Sequence, residues 1–333
     1  MLAYRLLEWQ RPPELVEVPV PEPRPGEVLV EVAGCGLCHS DLTMIEMPGE
    51  IGDLLGWRVP FTLGHETAGR VAQLGDGVTG FAAGDAVALL SPSSCGRCEY
   101  CLAGRESACL SGETGRGYGR DGGLAGYIVA PARELLALGT LEPRVAGPLT
   151  DAGATSHHAV RRARPVLGEG STALVIGVGG LGWYAVQILR ATTPARVVAV
   201  DLDPARRAIA RELGAAEVFD AVPSGLVADA VLDIVGNDAT IAAGLGAVRR
   251  GGAFVLVGSG GGGFRRPWFD GLPREATITA VQRSTIDDAR SVIALAAEGR
   301  VRVQVDEYPL ARVADAYAAL DAGTLTGRAV VIP

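Results

Sequence analysis

"TALVIGVGGLGWYAVQIL", residues 172–189, runs eighteen residues without a charge. That length is enough for a membrane helix. Four glycines, at 177, 179, 180 and 182, fall near its middle. Glycines clustered in this way punctuate secondary structure, so the stretch reads as a buried strand, a tight turn and a helix. Their spacing is Gly177-x-Gly179-x-x-Gly182. In a chain with 46 glycines that pattern alone is weak, but its context is specific. A strand precedes it, a helix follows, and "VVAVD" closes on Asp201, nineteen residues after the third glycine. This is the layout of a dinucleotide site. Gly177, Gly179, Gly180, Leu181 and Gly182 let the backbone approach a pyrophosphate, whose charge is favoured at a helix N-terminus. Asp201 would accept hydrogen bonds from the adenosine ribose and repel a 2′-phosphate, which favours NAD over NADP. Arg206 is expected near the ribose edge.

The pattern extends outward in both directions. After residue 152, apolar strands alternate with helical stretches: 196–201 and 230–236 as strands, 204–213 and 238–249 as helices, then a strand at 253–258. Alternation of this kind builds a parallel sheet from βαβ units. Only nine residues, Ala221 to Asp229, separate "AEVFD" from "AVLDIVG", so one crossover helix is expected to be lost or reduced. Before residue 145 the chain reads as short alternating strands (27–34, 68–75, 85–90) between Gly, Pro and Asp turns, which suits a barrel-like β domain. The boundary falls near residue 150. The expected division is 1–151, 152–282, and a return segment 283–333 that completes the first domain.

The 333 residues exceed what one core sustains, so two domains are the natural expectation. Net charge is −8, which disfavours nonspecific nucleic-acid binding and gives no electrostatic reason to sit on an anionic membrane. The start, "MLAYRLLEWQRPP", lacks a basic stretch leading into an apolar run of signal-peptide length. The cytoplasm, where thiols stay reduced, is the expected compartment.

Four of the six cysteines crowd into "SCGRCEYCLAGRESAC", residues 94–109, as Cys95-x2-Cys98-x2-Cys101-x7-Cys109. A disulfide scaffold would be short, secreted and cysteine-dense. Tight turns of this spacing gather thiolates around one tetrahedral metal, most often zinc. An iron–sulfur cluster is the main rival. Two further motifs stand out, "GCGLCHSDL" (34–42) and "LGHETAG" (63–69). They hold Cys38 and His65, a thiolate and an imidazole that both suit zinc; alone, His65 is equally a packed core histidine.

Together with "PLTDAGATSHHAV" (148–160), "VIGVGGLG" and the terminal "GRAVV", these motifs resemble the zinc-dependent medium-chain alcohol dehydrogenases over essentially the whole chain. The similarity is greatest to the bacterial branch that oxidises secondary and aryl alcohols with NAD. The resemblance implies an α/β protein with an N-terminal GroES-like β-barrel catalytic domain and a doubly wound parallel-sheet Rossmann domain. It implies two zinc ions per chain, NAD as cofactor, a small alcohol or carbonyl substrate, and assembly as a homodimer or homotetramer. It makes residues 94–110 a structural zinc lobe. It makes Cys38, His65 and Asp151 the ligands of a catalytic zinc, Asp151 standing where many relatives have cysteine. Asp41 would orient His65, and Glu66 would lie behind or beside the metal. Ser40 would carry the alcohol proton away. The histidine that many relatives place three residues later is Thr43 here, so the proton is expected to leave through ribose hydroxyls and water, or through His39. Thr155, Val257 and Gly258 would flank the nicotinamide, and Arg328 would lie near the pyrophosphate. Leu54, Trp57, Tyr118, Trp268 and Phe269 are candidates for an apolar substrate wall. Alternatives within the superfamily are a polyol dehydrogenase and a carbonyl or enoyl reductase; outside it stands a nucleotide-sensing protein on an inactive fold.

Overall fold

The computed structural model describes residues 1–333 except 92, 113, 265 and 266 and the side chains of Trp268 and Asp270. Two compact units divide the chain. The first comprises Met1–Asp151, Thr285–Ala297 and Val303–Pro333; the second comprises Ala152–Ser284 and Glu298–Arg302. The return segment expected over 283–333 is thus shared: residues 283–284 and 298–302 go with the second unit.

The hub of the first unit is the strand Glu27–Gly36. Val28, Val30 and Val32 are buried, as β-branched residues on a pleated surface should be. This strand pairs antiparallel with Glu66–Leu74, with Tyr127–Pro131 and with the terminal strand Arg328–Ile332. The seven-stranded sheet continues to Ala86–Leu89 and Leu135–Ala137 on one side and to Val305–Pro309 on the other. The last two strands of the chain run parallel and are joined through the helix Val313–Asp321, which buries Val313, Ala316, Tyr317 and Leu320. That spacing is one helical face.

The second unit carries six parallel strands. Numbered along the chain from Thr172–Ile176, their order across the sheet is 3-2-1-4-5-6. This is the doubly wound arrangement, and its ligand crevice opens where the order reverses, beside the first strand. The glycine turn comes directly after that strand and leads into the helix Gly182–Thr192. The crossover from Glu217–Phe219 to Ala228–Asp233 has no helix; Val222 and Leu226 of that segment pack on the core in its place. No helix among the described residues is long and apolar enough to cross a membrane.

Gly182 is irreplaceable for a spatial reason. A Cβ there would stand 1.9 Å from the Gly177 carbonyl oxygen, a backbone atom that cannot move without opening the turn. Gly182→Ala should therefore cost on the order of 2–3 kcal/mol or more, the range of overpacked cores, and weaken NAD binding by at least tenfold. Thermal unfolding and NADH titration check both; unchanged NADH affinity would refute this reading of the turn.

Candidate active site and metal centres

Among the described residues, two groups bring metal-ligating atoms within 4.8 Å of one another: Cys95, Cys98, Cys101 and Cys109, and Cys38, His65 and Asp151. The two are built differently. The first is local, confined to one fifteen-residue stretch. Backbone amides of Cys95 and Ser111 point at Cys109 Sγ (3.3 and 3.4 Å), and that of Cys98 at Cys95 Sγ (3.3 Å). Backbone N–H donation from Arg97 and Cys98 lowers the Cys95 thiol to about 6. Burial and the crowding of its sulfur neighbours push Cys101 up to about 12. Four thiolates this close repel one another unless a cation lies among them. Zn–S bonds of about 2.3 Å set sulfurs on a tetrahedron about 3.8 Å apart, and Cys95 Sγ and Cys101 Sγ stand 3.9 Å apart. The set fits zinc. A buried Arg116–Glu134 pair (2.6 Å) anchors the lobe to the sheet, because Arg133 bonds both Glu134 (2.9 Å) and the Ser94 carbonyl (2.5 Å).

The second group needs three distant segments. Cys38 precedes the short helix His39–Ile45 in extended conformation, and its amide donates to Asp41 Oδ2 (3.0 Å). His65 lies just before the strand Glu66–Leu74, and Asp151 just before the helix Ala152–Ala163. Asp41 is fully buried; its Oδ1 lies 3.0 Å from His65 Nδ1, off the line of an ideal hydrogen bond. A carboxylate there holds the proton on Nδ1 and leaves Nε2 for a metal. Nε2 lies 3.5 Å from Asp151 Oδ2. Burial alone would push the imidazolium pKa down, but Tyr118, Asp41 and Asp151 raise it well above the usual range. A site that draws a proton onto this imidazole also favours a metal cation, and thiolate, imidazole and carboxylate together suit zinc.

Behind the trio, Glu66 and Arg328 form a buried, bidentate pair: Nε to Oε2 at 3.0 Å and Nη2 to Oε1 at 2.5 Å. Arg328 Nη2 also stands 3.9 Å from Asp151 Oδ2. The resemblance places Arg328 near a pyrophosphate; in the first unit its guanidinium also pairs with Glu66.

The second unit presents the dinucleotide turn. Asp201 Oδ2 accepts from the Val178 amide (2.7 Å) and Oδ1 from the Asp203 amide (2.9 Å), which fixes the carboxylate beside the turn. A Cβ on Gly179 would stand 3.7 Å from Arg206 Nη1. Ser156 Oγ donates to the Leu181 carbonyl (2.8 Å), tying Ala152–Ala163 to the turn. Thr155 is buried on the same helix. The amides of Val257 and Gly258 both bond the Asp233 carbonyl (2.9 and 3.0 Å).

Comparison with known proteins agrees with this geometry. Residues 24–140 match the alcohol dehydrogenase GroES-like domain, and residues 180–298 match the zinc-binding dehydrogenase domain. An NAD-dependent alcohol dehydrogenase of Sulfurisphaera tokodaii is 32% identical over the whole of both chains. The chain belongs to the zinc-binding alcohol dehydrogenases. The crystal structure of the alcohol dehydrogenase of Aeropyrum pernix superposes with a TM-score of 0.92 at 32% identity, covering 100% of each chain. Acetophenone reductase of Geotrichum candidum, solved with NAD, gives 0.88 at 30% identity, covering 100% of this chain and 97% of its own.

Two contacts of the first unit are invisible in the sequence. Tyr317 donates to Asp41 Oδ2 (3.3 Å) from the C-terminal helix, and Tyr118, a candidate for the apolar wall, puts its hydroxyl 2.8 Å from Ser40 Oγ. Neither carries a spacing signal. Of the other wall candidates, Trp57 is buried against the Tyr118 ring (centroids 5.7 Å), while Leu54 and Phe269 are exposed; the Trp268 side chain lies outside the described residues.

Asp151→Ala should remove one zinc per chain and nearly all turnover, while Cys95, Cys98, Cys101 and Cys109 keep theirs. Cys98→Ser should do the reverse, losing one zinc and thermal stability with turnover surviving. Zinc per chain by atomic emission and steady-state rates check both; a full zinc complement in Asp151→Ala would remove Asp151 from the ligand set.

Proposed function

We propose that this chain catalyses the reversible oxidation of an apolar alcohol, secondary, aryl or medium-chain, to the ketone or aldehyde, with NAD as the hydride acceptor. The observation that carries the reading is the convergence of Cys38, His65 and Asp151 in one unit of a chain whose other unit ends its second strand on Asp201. Zinc held by the three donors supplies a Lewis acid that makes an alcohol proton easier to lose, and NAD supplies the acceptor for the hydride.

The chain's own residues do the rest. Asp41 keeps His65 in the tautomer whose Nε2 faces the metal position. Arg328, held by Glu66, sets its guanidinium 3.9 Å from Asp151. Ser40 Oγ is placed to take the alcohol proton. With Thr43 in place of a histidine, the onward path for that proton would be His39, the exposed first residue of its helix, or the ribose hydroxyls that NAD would bring and water. Asp201 keeps oxygen lone pairs for the ribose hydroxyls after accepting its two backbone amides. Trp57 and Tyr118 supply an aromatic wall near Ser40, which supports an apolar substrate over a polyol. The acetophenone reductase relative acts on an aryl ketone, and supports the same class. Cys95, Cys98, Cys101 and Cys109 hold a second, structural zinc. Among the described residues, the outermost strand Thr277–Ala280 pairs on one side only and is largely exposed, an edge that supports assembly as a homodimer or homotetramer.

A panel of secondary, aryl, medium-chain and polyol alcohols, each with NAD, tests the reading by NADH absorbance. Turnover should be highest on the apolar members; turnover confined to polyols, or only reduction of conjugated double bonds, would overturn it. Asp201→Ala should weaken NAD by about ten- to a hundredfold, the worth of a charge-assisted hydrogen bond, and narrow the preference over NADP. A wild type that prefers NADP in the same kinetics would refute the role given to Asp201.

A further inference from the structure

We infer that Tyr118 is a positioning residue for Ser40: its phenol hydroxyl fixes the rotamer of the Ser40 hydroxyl, the group proposed above to move the alcohol proton. The inference rests on that reading and deepens it.

Ser40 lies in the first turn of the seven-residue helix His39–Ile45 and is half-buried. A serine hydroxyl has three staggered positions about χ1 and a freely turning hydrogen. Unheld, it faces a reacting atom only part of the time. Tyr118 Oη lies 2.8 Å from Ser40 Oγ, an ideal O–H···O distance.

Tyr118 itself is well held. Its amide donates to the Gly115 carbonyl (2.9 Å), and its carbonyl accepts from the Gly115 amide (2.8 Å). It stands between Gly117 and Gly119, both at positive φ (71° and 74°). A Cβ on Gly119 would meet Trp57 Cγ at 2.6 Å, so the turn lies directly on the tryptophan. The phenol ring packs against His65 (centroids 4.7 Å) on one side and Trp57 (5.7 Å) on the other. A ring clamped in this way carries its hydroxyl to one point.

The neighbours set the direction of the bonds. Tyr118 Oη also lies 3.3 Å from His65 Nε2. In the metal-free protein the phenol hydroxyl is shared between Ser40 Oγ and His65 Nε2. Once Nε2 is committed to a metal, the phenol hydrogen has Ser40 Oγ as its partner. Ser40 then accepts from Tyr118, keeps a second lone pair for the alcohol hydrogen, and points its own hydrogen onward. This arrangement gives Ser40 a fixed orientation in a chain whose position 43 is threonine.

The test pairs Tyr118→Phe, which keeps both ring contacts and removes only the hydroxyl, with Ser40→Ala and the double variant. Single-turnover NADH formation on the best alcohol of the panel should fall about tenfold in Tyr118→Phe, with KM within about twofold of wild type. Tyr118→Phe should cost nothing further in the Ser40→Ala background, because a residue acting through Ser40 has nothing left to hold. Zinc per chain should stay at the wild-type value. A readout independent of turnover uses metal-free protein labelled with [13Cζ]tyrosine. The Tyr118 resonance, assigned by its loss in Tyr118→Phe, should move in Ser40→Ala and again when zinc is added. A wild-type single-turnover rate in Tyr118→Phe, a full additional loss in the double variant, or a resonance indifferent to Ser40→Ala overturns the inference. If wild type turns over no alcohol at all, the functional reading fails instead, and the resonance alone still decides the contact.

Discussion

The buried pair of Glu66 and Arg328 is the interaction on which the first unit depends. Glu66 is inaccessible and Arg328 is 4% exposed. Two charges withdrawn from water this far must satisfy each other, and removing one partner of such a pair costs about 3–5 kcal/mol. The residues are 262 positions apart. Their pairing therefore requires that the last strand of the chain lie in the same sheet as the residues just after His65. The terminal strand does so, aligning Val330 with Gly36 and Val331 with Cys35. Gly36 makes the approach possible, since a Cβ there would stand 2.1 Å from Glu66 Oε2.

The metal site beside that pair exists only in the folded chain. Cys38, His65 and Asp151 come from three segments, and each is oriented by a neighbour that is itself held elsewhere. Asp41 faces His65 and is bonded by Tyr317 from the C-terminal helix; Arg328 stands beside Asp151 from the C-terminal strand. The long return of the chain thus supplies the outer supports of a site whose ligands all precede residue 152. The cysteine lobe obeys a different logic. Its four sulfurs sit in one short stretch with little apolar core of its own, the situation in which a bound metal takes the place of a core.

Legibility in the sequence tracks this difference. The cysteine lobe and the glycine turn are local, and residue spacing carries them: Cys95 through Cys109 lie on tight turns, and Gly177 through Gly182 span one strand-to-helix connection. The missing crossover helix is equally legible, because the nine residues Ala221 to Asp229 fall short of the dozen or so that a helix and its two turns need between parallel strands. Helix ends fall within two residues of their expected places wherever an apolar strand bounds them. The division of the return segment is not legible, since residues 298–302 carry no composition signal that separates them from their neighbours. Tyr118 reads only as apolar wall, because a tyrosine in "RGYGRDGG" shows a ring and no partner; its hydroxyl role depends on Ser40, 78 positions away.

The sequence by itself determined the two-part architecture, the dinucleotide turn ending on Asp201, and the clustering of four thiols, because each is written in periodicity or spacing along a few dozen residues. That Cys38, His65 and Asp151 converge was indicated only by resemblance. The tertiary structure alone decided that Arg328 belongs to Glu66, that Tyr317 reaches Asp41, and that Tyr118 reaches Ser40. Hydrogen bonds and ion pairs act over about three ångströms of space, and a linear pattern holds no record of which distant residues folding brings within that reach.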